Sequence, residues 1–145
     1  MEQIEDCELK KIYKAVYPDS STDLLLVSVP LRLAPLGAHS DHQGGCVTGL
    51  AINRFVHLLG ERLSDPKIRV FSEGFGDSGE LFFEHIGTPN DGDWRNYLKG
   101  CIAVTKAAWG ELQYGFRGVL LSRMPIGGLS SSAAVILSYL SALAY

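Results

Sequence analysis

Positive charge is not in excess in this chain: 13 Lys and Arg stand against 16 Asp and Glu, a net charge of −3. A non-specific nucleic-acid surface needs a basic surplus, so nucleic acid is not an expected partner. Cysteine is scarce. Cys7, Cys46 and Cys101 are odd in number and show no paired spacing, which argues against a disulfide framework and predicts reduced thiols in a cytosolic protein. No apolar run reaches membrane-spanning length, and the opening MEQIEDCELKK is too acidic and polar for a secretory leader, so no membrane is expected either. Internal repeats and low-complexity segments are absent, and nothing in the pattern assigns an oligomeric state. The final SYLSALAY has no cap glycine, no basic last turn and no polar tail. An apolar helix that stops this way is expected to pack against something beyond residue 145. What is present is a 145-residue chain with 46% apolar residues, enough for one domain with its own core.

The pattern along the chain predicts a mixture of helices and strands. Ile4, Leu9, Ile12, Tyr13 and Val16 share one side of an expected helix over residues 2–16, which Pro18 ends. Residues 24–33 read as a buried strand, with Pro30 placed at an edge or a bulge because it cannot donate to a ladder. Residues 35–45 form a polar, glycine-rich loop. Residues 46–59 fit a helix about as well as strands, but GERLSDP followed by the alternating KIRVFSE favours strands joined by a turn. GFGDSG is a further turn and residues 80–86 a strand. Asp93 is the expected cap of a helix over residues 94–112 that buries Tyr97, Leu98, Ile102, Val104 and Trp109, with Gly115 breaking it. A strand over residues 116–122 leads to a loop and a last helix. Without strict strand–helix alternation, the expected class is α+β.

Two stretches carry chemistry. Residues 127–134 read GGLSSSAA, preceded by Pro125 and Ile126. The glycines allow a tight turn and close approach to a ligand. The serines fall where a helix starts, where free N–H groups and the positive end of the dipole favour phosphate. The competing reading is a serine cap on a buried helix. The second stretch, RLAPLGAHSDHQGG, offers Arg32, His39, Asp41, His42 and Gln43 within a dozen positions. It suits a polyol or sugar site, half of a zinc site, or a solvated turn. His57 and His85 lie in strand-like segments and read as ordinary packed residues rather than further ligands.

Taken together, the two stretches resemble the GHMP-type small-molecule kinases, and among them the galactokinase-like enzymes. The family signature Gly-Arg-Val-Asn-Leu-Ile-Gly-Glu-His-Thr-Asp-Tyr is matched from Leu31 through Arg32, Gly37, Ala38, His39, Ser40, Asp41 and His42 to Gln43, Gly44 and Gly45. The phosphate loop Pro-x-Gly-x-Gly-Leu-Ser-Ser-Ser-Ala is matched from Pro125 to Ala133 with one residue fewer. Trp-x-Asn-Tyr-x-Lys-Gly is matched by Trp94, Asn96, Tyr97, Lys99 and Gly100. The resemblance implies an N-terminal GHMP-kinase domain of the ribosomal protein S5 domain 2-like fold over residues 1–145. The sugar signature would span residues 25–50, the phosphate loop and its helix 122–145. It implies ATP and Mg²⁺ as cofactors and a sugar as substrate. Pro125, Gly127, Gly128, Leu129, Ser130, Ser131, Ser132 and Ala133 would hold the nucleotide, with the Ser132 hydroxyl on the metal. Arg32 would be the catalytic cation beside the sugar C1 hydroxyl, and Ala38, His39, Asp41 and His42 would meet the sugar.

Departures from the family pattern bear on the substrate. Where galactokinases place a Glu near the C6 hydroxyl, this chain has Ala38, and the family Tyr is His42. A Glu about 4 Å from a C6 carboxylate would cost about 4 kcal/mol at an effective dielectric near 20, so its removal suits a uronic acid. Histidine can donate a hydrogen bond, or carry charge, beside that anion. The expectation is therefore a galacturonokinase, transferring the γ-phosphate of ATP to the C1 hydroxyl of D-galacturonate. A galactokinase, a pentose kinase and a non-catalytic sugar- or nucleotide-binding fragment are the alternatives. In the family the carboxylate that activates the C1 hydroxyl and the second domain both follow the phosphate-loop helix. They are expected to be missing from these 145 residues.

Overall fold

The computed structural model describes residues 6–37, 41–82, 86–112, 114–123 and 129–145. Helix α1 (Asp6–Val16) is followed by strand β1 (Leu25–Leu36), a 3-10 turn (Asp41–Gln43), β2 (Thr48–Leu63), β3 (Lys67–Ser72), a second 3-10 turn (Glu73–Phe75) and β4 (Asp77–Phe82). Helix α2 (Arg95–Trp109), β5 (Gly115–Leu121) and α3 (Ser131–Ala144) complete the chain. The strands form one mixed sheet in the order β1-β2-β5-β3-β4, in which only β3 and β5 run parallel. The mixed sheet with its three helices follows the expected α+β class.

Local chemistry explains several elements. β1 lies at the sheet edge, and its register with β2 shifts between Pro30 and Arg32, so Pro30 sits where a missing N–H does least harm. β3 alternates buried Ile68 and Val70 with half-buried Lys67, Arg69 and Phe71, as a strand with one core face must. Every residue of β5 is buried, because β2 and β3 flank it and helices cover both faces. Asp93 caps α2 as expected, its Oδ1 accepting the Arg95 N–H at 2.9 Å. The Arg95 hydrogen bonds hold the Asp93 carboxyl below its usual range.

Other expectations are corrected. α2 ends at Gly110, whose φ is +85°, and Gly115 instead opens β5. The helix buries Leu98, Lys99, Cys101, Ile102 and Thr105, whereas Tyr97, Val104 and Trp109 are 44, 62 and 64% exposed. Only one side of α2 meets α3 and the sheet, and Tyr97 and Val104, seven positions apart, share a different side. Lys99 is tolerated in the core because it donates to the Thr88 carbonyl at 3.0 Å and pairs with Asp93. β2 and β3 are joined by a short turn, but β5 inserts between them, so they are not a hairpin. The fourth strand runs earlier than expected, over Asp77–Phe82.

Two cores result. α2 and α3 cover one face of the sheet, around Val56, Leu58, Ile68, Leu98, Ile102 and Tyr139. α1 covers the other, around Leu9, Tyr13, Leu59, Val119 and Leu121. Gly60 and Gly118 face each other across β2 and β5, and the Phe116 ring occupies the space that their missing side chains leave. A methyl at Gly60 would run into that ring and the Arg117 carbonyl. Gly60→Ala is accordingly expected to destabilise the fold by about 1–3 kcal/mol, read as a lower denaturation midpoint at unchanged m-value.

Beneath α1 lies a buried ionic cluster. Glu61 and Arg117 are cross-strand partners, 7 and 8% exposed. Glu61 Oε1 accepts from Arg117 Nε at 2.8 Å and from the Tyr13 hydroxyl at 3.1 Å, and Oε2 accepts the Ser21 N–H at 3.0 Å. Arg117 also donates to both Asp19 carboxylate oxygens, at 3.0 and 3.1 Å, and lies over the Tyr17 ring. Burial pushes the Glu61 pKa up, but these hydrogen bonds outweigh it and leave the carboxyl below its ordinary value. No helix among the described residues is long and apolar enough to cross a membrane.

Candidate active site

The start of α3 is held against the edge of β1. The Arg32 N–H donates to the Leu129 carbonyl at 3.2 Å, so the segment before the helix runs beside the free edge of the strand. The Arg32 guanidinium donates through Nε and Nη2 to the Ser130 hydroxyl, at 3.3 and 3.1 Å. Ser130 has φ +54° and ψ +35°, the one left-handed non-glycine backbone among the described residues. Its carbonyl accepts the Ala134 N–H at 3.3 Å and opens the helix.

This geometry departs from the serine-cap reading. An N-cap residue ordinarily takes an extended backbone and turns its oxygen onto the next N–H groups. Ser130 does neither, and its side chain makes no capping bond. The first-turn donators of α3 are thus left without a side-chain acceptor from the cap, and no acidic residue occupies that turn. Such a helix start favours an anion. Ser131 is half-buried there, while Ser132 and Ala133 are exposed.

On the far side of Ser131 and Ser132 opens a cavity of about 140 Å³. Phe75, Trp94 and Tyr97 contribute aromatic walls, and Leu120, Val135 and Tyr139 line it further. Phe75 and Trp94 stack with centroids 5.8 Å apart and planes 11° from parallel. The Trp94 Nε1 and the Tyr139 hydroxyl are buried with no hydrogen-bond partner among the described residues. Buried donors ordinarily have partners, so these mark places where a polar ligand atom would be favoured. The arrangement puts an anion-favouring helix start between a guanidinium and an aromatic slot, which fits a group with a charged tail and a flat apolar ring.

The structure brings Arg32, Leu129 and Ser130 into contact and sets Ser131, Ser132 and Ala133 in the first turn beyond them. His42 is exposed in the 3-10 turn, its Nε2 3.4 Å from Gln43 Nε2. Asp41 is placed in the same turn by its backbone. Ala38, His39, Pro125, Gly127 and Gly128 lie outside the described residues, as does His85. His57 is half-buried in β2 with Nδ1 2.8 Å from Ser28 Oγ, and burial lowers its pKa. Phe75 and Tyr139 had no signal of their own in the sequence. Trp94 and Tyr97 did, within the Trp-x-Asn-Tyr segment, and the exposure of Tyr97 follows from its place on the cavity wall. Among the described residues no three His, Cys, Asp or Glu converge as a metal cage.

No protein-family model matches the chain. It is 34% identical to a galacturonokinase from Arabidopsis thaliana, over 95% of this chain and 38% of that protein. It is 32% identical to a galactokinase from Lactobacillus helveticus, over 88% of this chain and 34% of that protein. The crystal structure of Lactococcus lactis galactokinase complexed with galactose superimposes with a TM-score of 0.81 at 28% identity, over 90% of this chain and 34% of that one. Methanococcus jannaschii mevalonate kinase shares the fold, with a TM-score of 0.71 at 19% identity. The chain thus spans between about a quarter and two fifths of the length of the curated relatives it matches. In sequence and in fold, the chain is similar to about a third of a galactokinase-like GHMP kinase.

Proposed function

We propose that this chain is the phosphate-holding and sugar-contacting part of an ATP-dependent sugar-1-kinase. The observation that carries the reading is the Arg32 guanidinium resting on Ser130 at the open start of α3. Phosphoryl transfer depends mainly on positioning and on neutralising charge. Backbone N–H groups from Leu129 to Ala133, with Pro125, Gly127 and Gly128 before them, would hold the nucleotide phosphates. The purine would enter the slot between Trp94, Tyr97 and Phe75. Ser132 would offer Mg²⁺ one hydroxyl oxygen, a hard donor of the kind that ion favours. When bound it supplies charge neutralisation on the phosphates. Arg32 would stabilise the negative charge that builds on the transferred group. The family resemblance implies that the carboxylate taking the C1 proton would lie after the phosphate-loop helix.

D-galacturonate is the substrate favoured by Ala38 and His42 and by the likeness to the Arabidopsis galacturonokinase. The similar likeness to galactokinases supports galactose as the second reading. In an enzyme containing this segment, Ala38→Glu is expected to shift relative kcat/KM from galacturonate towards galactose by about tenfold or more. The ceiling is about 10³-fold, for a carboxylate pair 4 Å apart at an effective dielectric near 20. An unchanged ratio would remove this account of specificity. ATP-dependent transfer of a phosphoryl group to either sugar, with release of ADP, tests the wider reading, and activity on neither would end it.

A further inference from the structure

Arg32 is an exposed side chain on an edge strand, yet it is fixed at three points: through its N–H to Leu129, and through Nε and Nη2 to Ser130. Fixing an arginine sacrifices much rotamer freedom, so so defined a pose needs a cause. One is the slot opposite, where Gly49 faces the stem: a Cβ there would lie 3.2 Å from Arg32 Cδ. The other is Ser130, whose hydroxyl is not used as a helix cap and whose left-handed backbone presents it towards β1. Left-handed backbone at a serine is unfavourable without support. Arg32 grips the segment on both sides of that peptide.

We infer that Ser130 positions Arg32. Its hydroxyl parks the guanidinium at the start of the phosphate helix before ligand arrives, and so ties the sugar loop to the nucleotide loop. The inference rests on the sugar-kinase reading for its ligands, but not for the contact itself. A neutral hydroxyl is a weaker partner for a guanidinium than an anionic phosphoryl oxygen. The parked arginine is therefore oriented without being trapped, and an arriving phosphate takes over hydrogen bonds that the serine held.

The test is the exchange of the Arg32 Nε–H with solvent, measured by NMR on the ligand-free chain, with Arg32→Lys to assign the signal. Exchange is expected to be about fivefold slower in the parent chain than in Ser130→Gly, the factor one ordinary hydrogen bond supplies. Ser130→Asn, which tolerates left-handed backbone and offers an acceptor oxygen, is expected to restore part of the protection. Glycine separates the hydroxyl from the backbone, since it adopts this conformation without strain. Were Ser130 only a backbone hinge, Ser130→Gly would match or exceed the parent, and equal exchange in the two overturns the inference whatever the chain catalyses. Adding Mg·ADP then reads the link between the halves. The Arg32 Nε–H is expected to shift in the parent and to shift less in Ser130→Gly. A parent signal indifferent to saturating Mg·ADP, with its protection intact, would leave the contact standing and overturn the nucleotide reading and the link together.

Discussion

Arg32→Ala is expected to lower kcat for ATP-dependent sugar phosphorylation by about 10³-fold in an enzyme that contains this segment, the scale of a lost arginine at a transferring phosphoryl group. The loss should fall on kcat more than on KM, because the charge that Arg32 would meet under the proposed function is greatest in the transition state. Stability should barely change, since the side chain is exposed and its contact is with a neutral hydroxyl. Arg32→Lys should recover only part of the rate. Lysine keeps the charge but lacks the fork that lets two nitrogens address one site. Steady-state kinetics beside a thermal melt separate these outcomes. A fall in melting temperature that tracks the loss of rate would mean that Arg32 is structural.

The largest effect on stability is expected on the opposite face of the sheet. Arg117→Ala leaves Glu61 buried without its 2.8 Å partner, and breaking a buried pair in this way costs about 3–5 kcal/mol. The pH dependence should weaken as well. In the parent the Glu61 carboxyl lies below its ordinary value, so its contribution is present above about pH 4.3 and is lost as pH falls through the depressed folded value. Without Arg117, the Ser21 and Tyr13 hydrogen bonds still oppose burial, but with one charged donor fewer, so the carboxyl titrates higher than in the parent. The stability that this group loses on acidification is then smaller than in the parent. Denaturant midpoints between about pH 3 and 6 are expected to fall less steeply on acidification in Arg117→Ala than in the parent. Parallel curves would remove Glu61 from the account.

Much of this architecture was legible because single residues forced it. Pro30 could only sit at an edge or a bulge, and it sits at both. Asp93 announced the start of α2 through its capping chemistry. The glycine–serine run announced the start of α3. What the sequence hid was non-local. Nothing in GERLSDP or KIRVFSE says that β5, some fifty positions on, will slip between their strands. The apolar residues of α2 mark several sides of the helix, and only the packing of α3 decides which is buried. The burial of Lys99 depends on Thr88 and Asp93, partners that periodicity cannot see. The Arg32–Ser130 contact closes across 98 positions, so the two motifs could be recognised separately while their meeting could not. Phe75 and Tyr139 reach the cavity from a 3-10 turn and from the inner side of α3, and neither carries a local pattern that marks a site.

Titrating the isotope-labelled chain with Mg·ADP and following its amide and indole signals tests the central claim most directly. The account predicts saturable shifts concentrated at the amides of residues 129–134, with the Trp94 Nε1–H moving in step as the slot fills. An absence of saturable shifts, or shifts confined to α1 and the Glu61–Arg117 face, would contradict it.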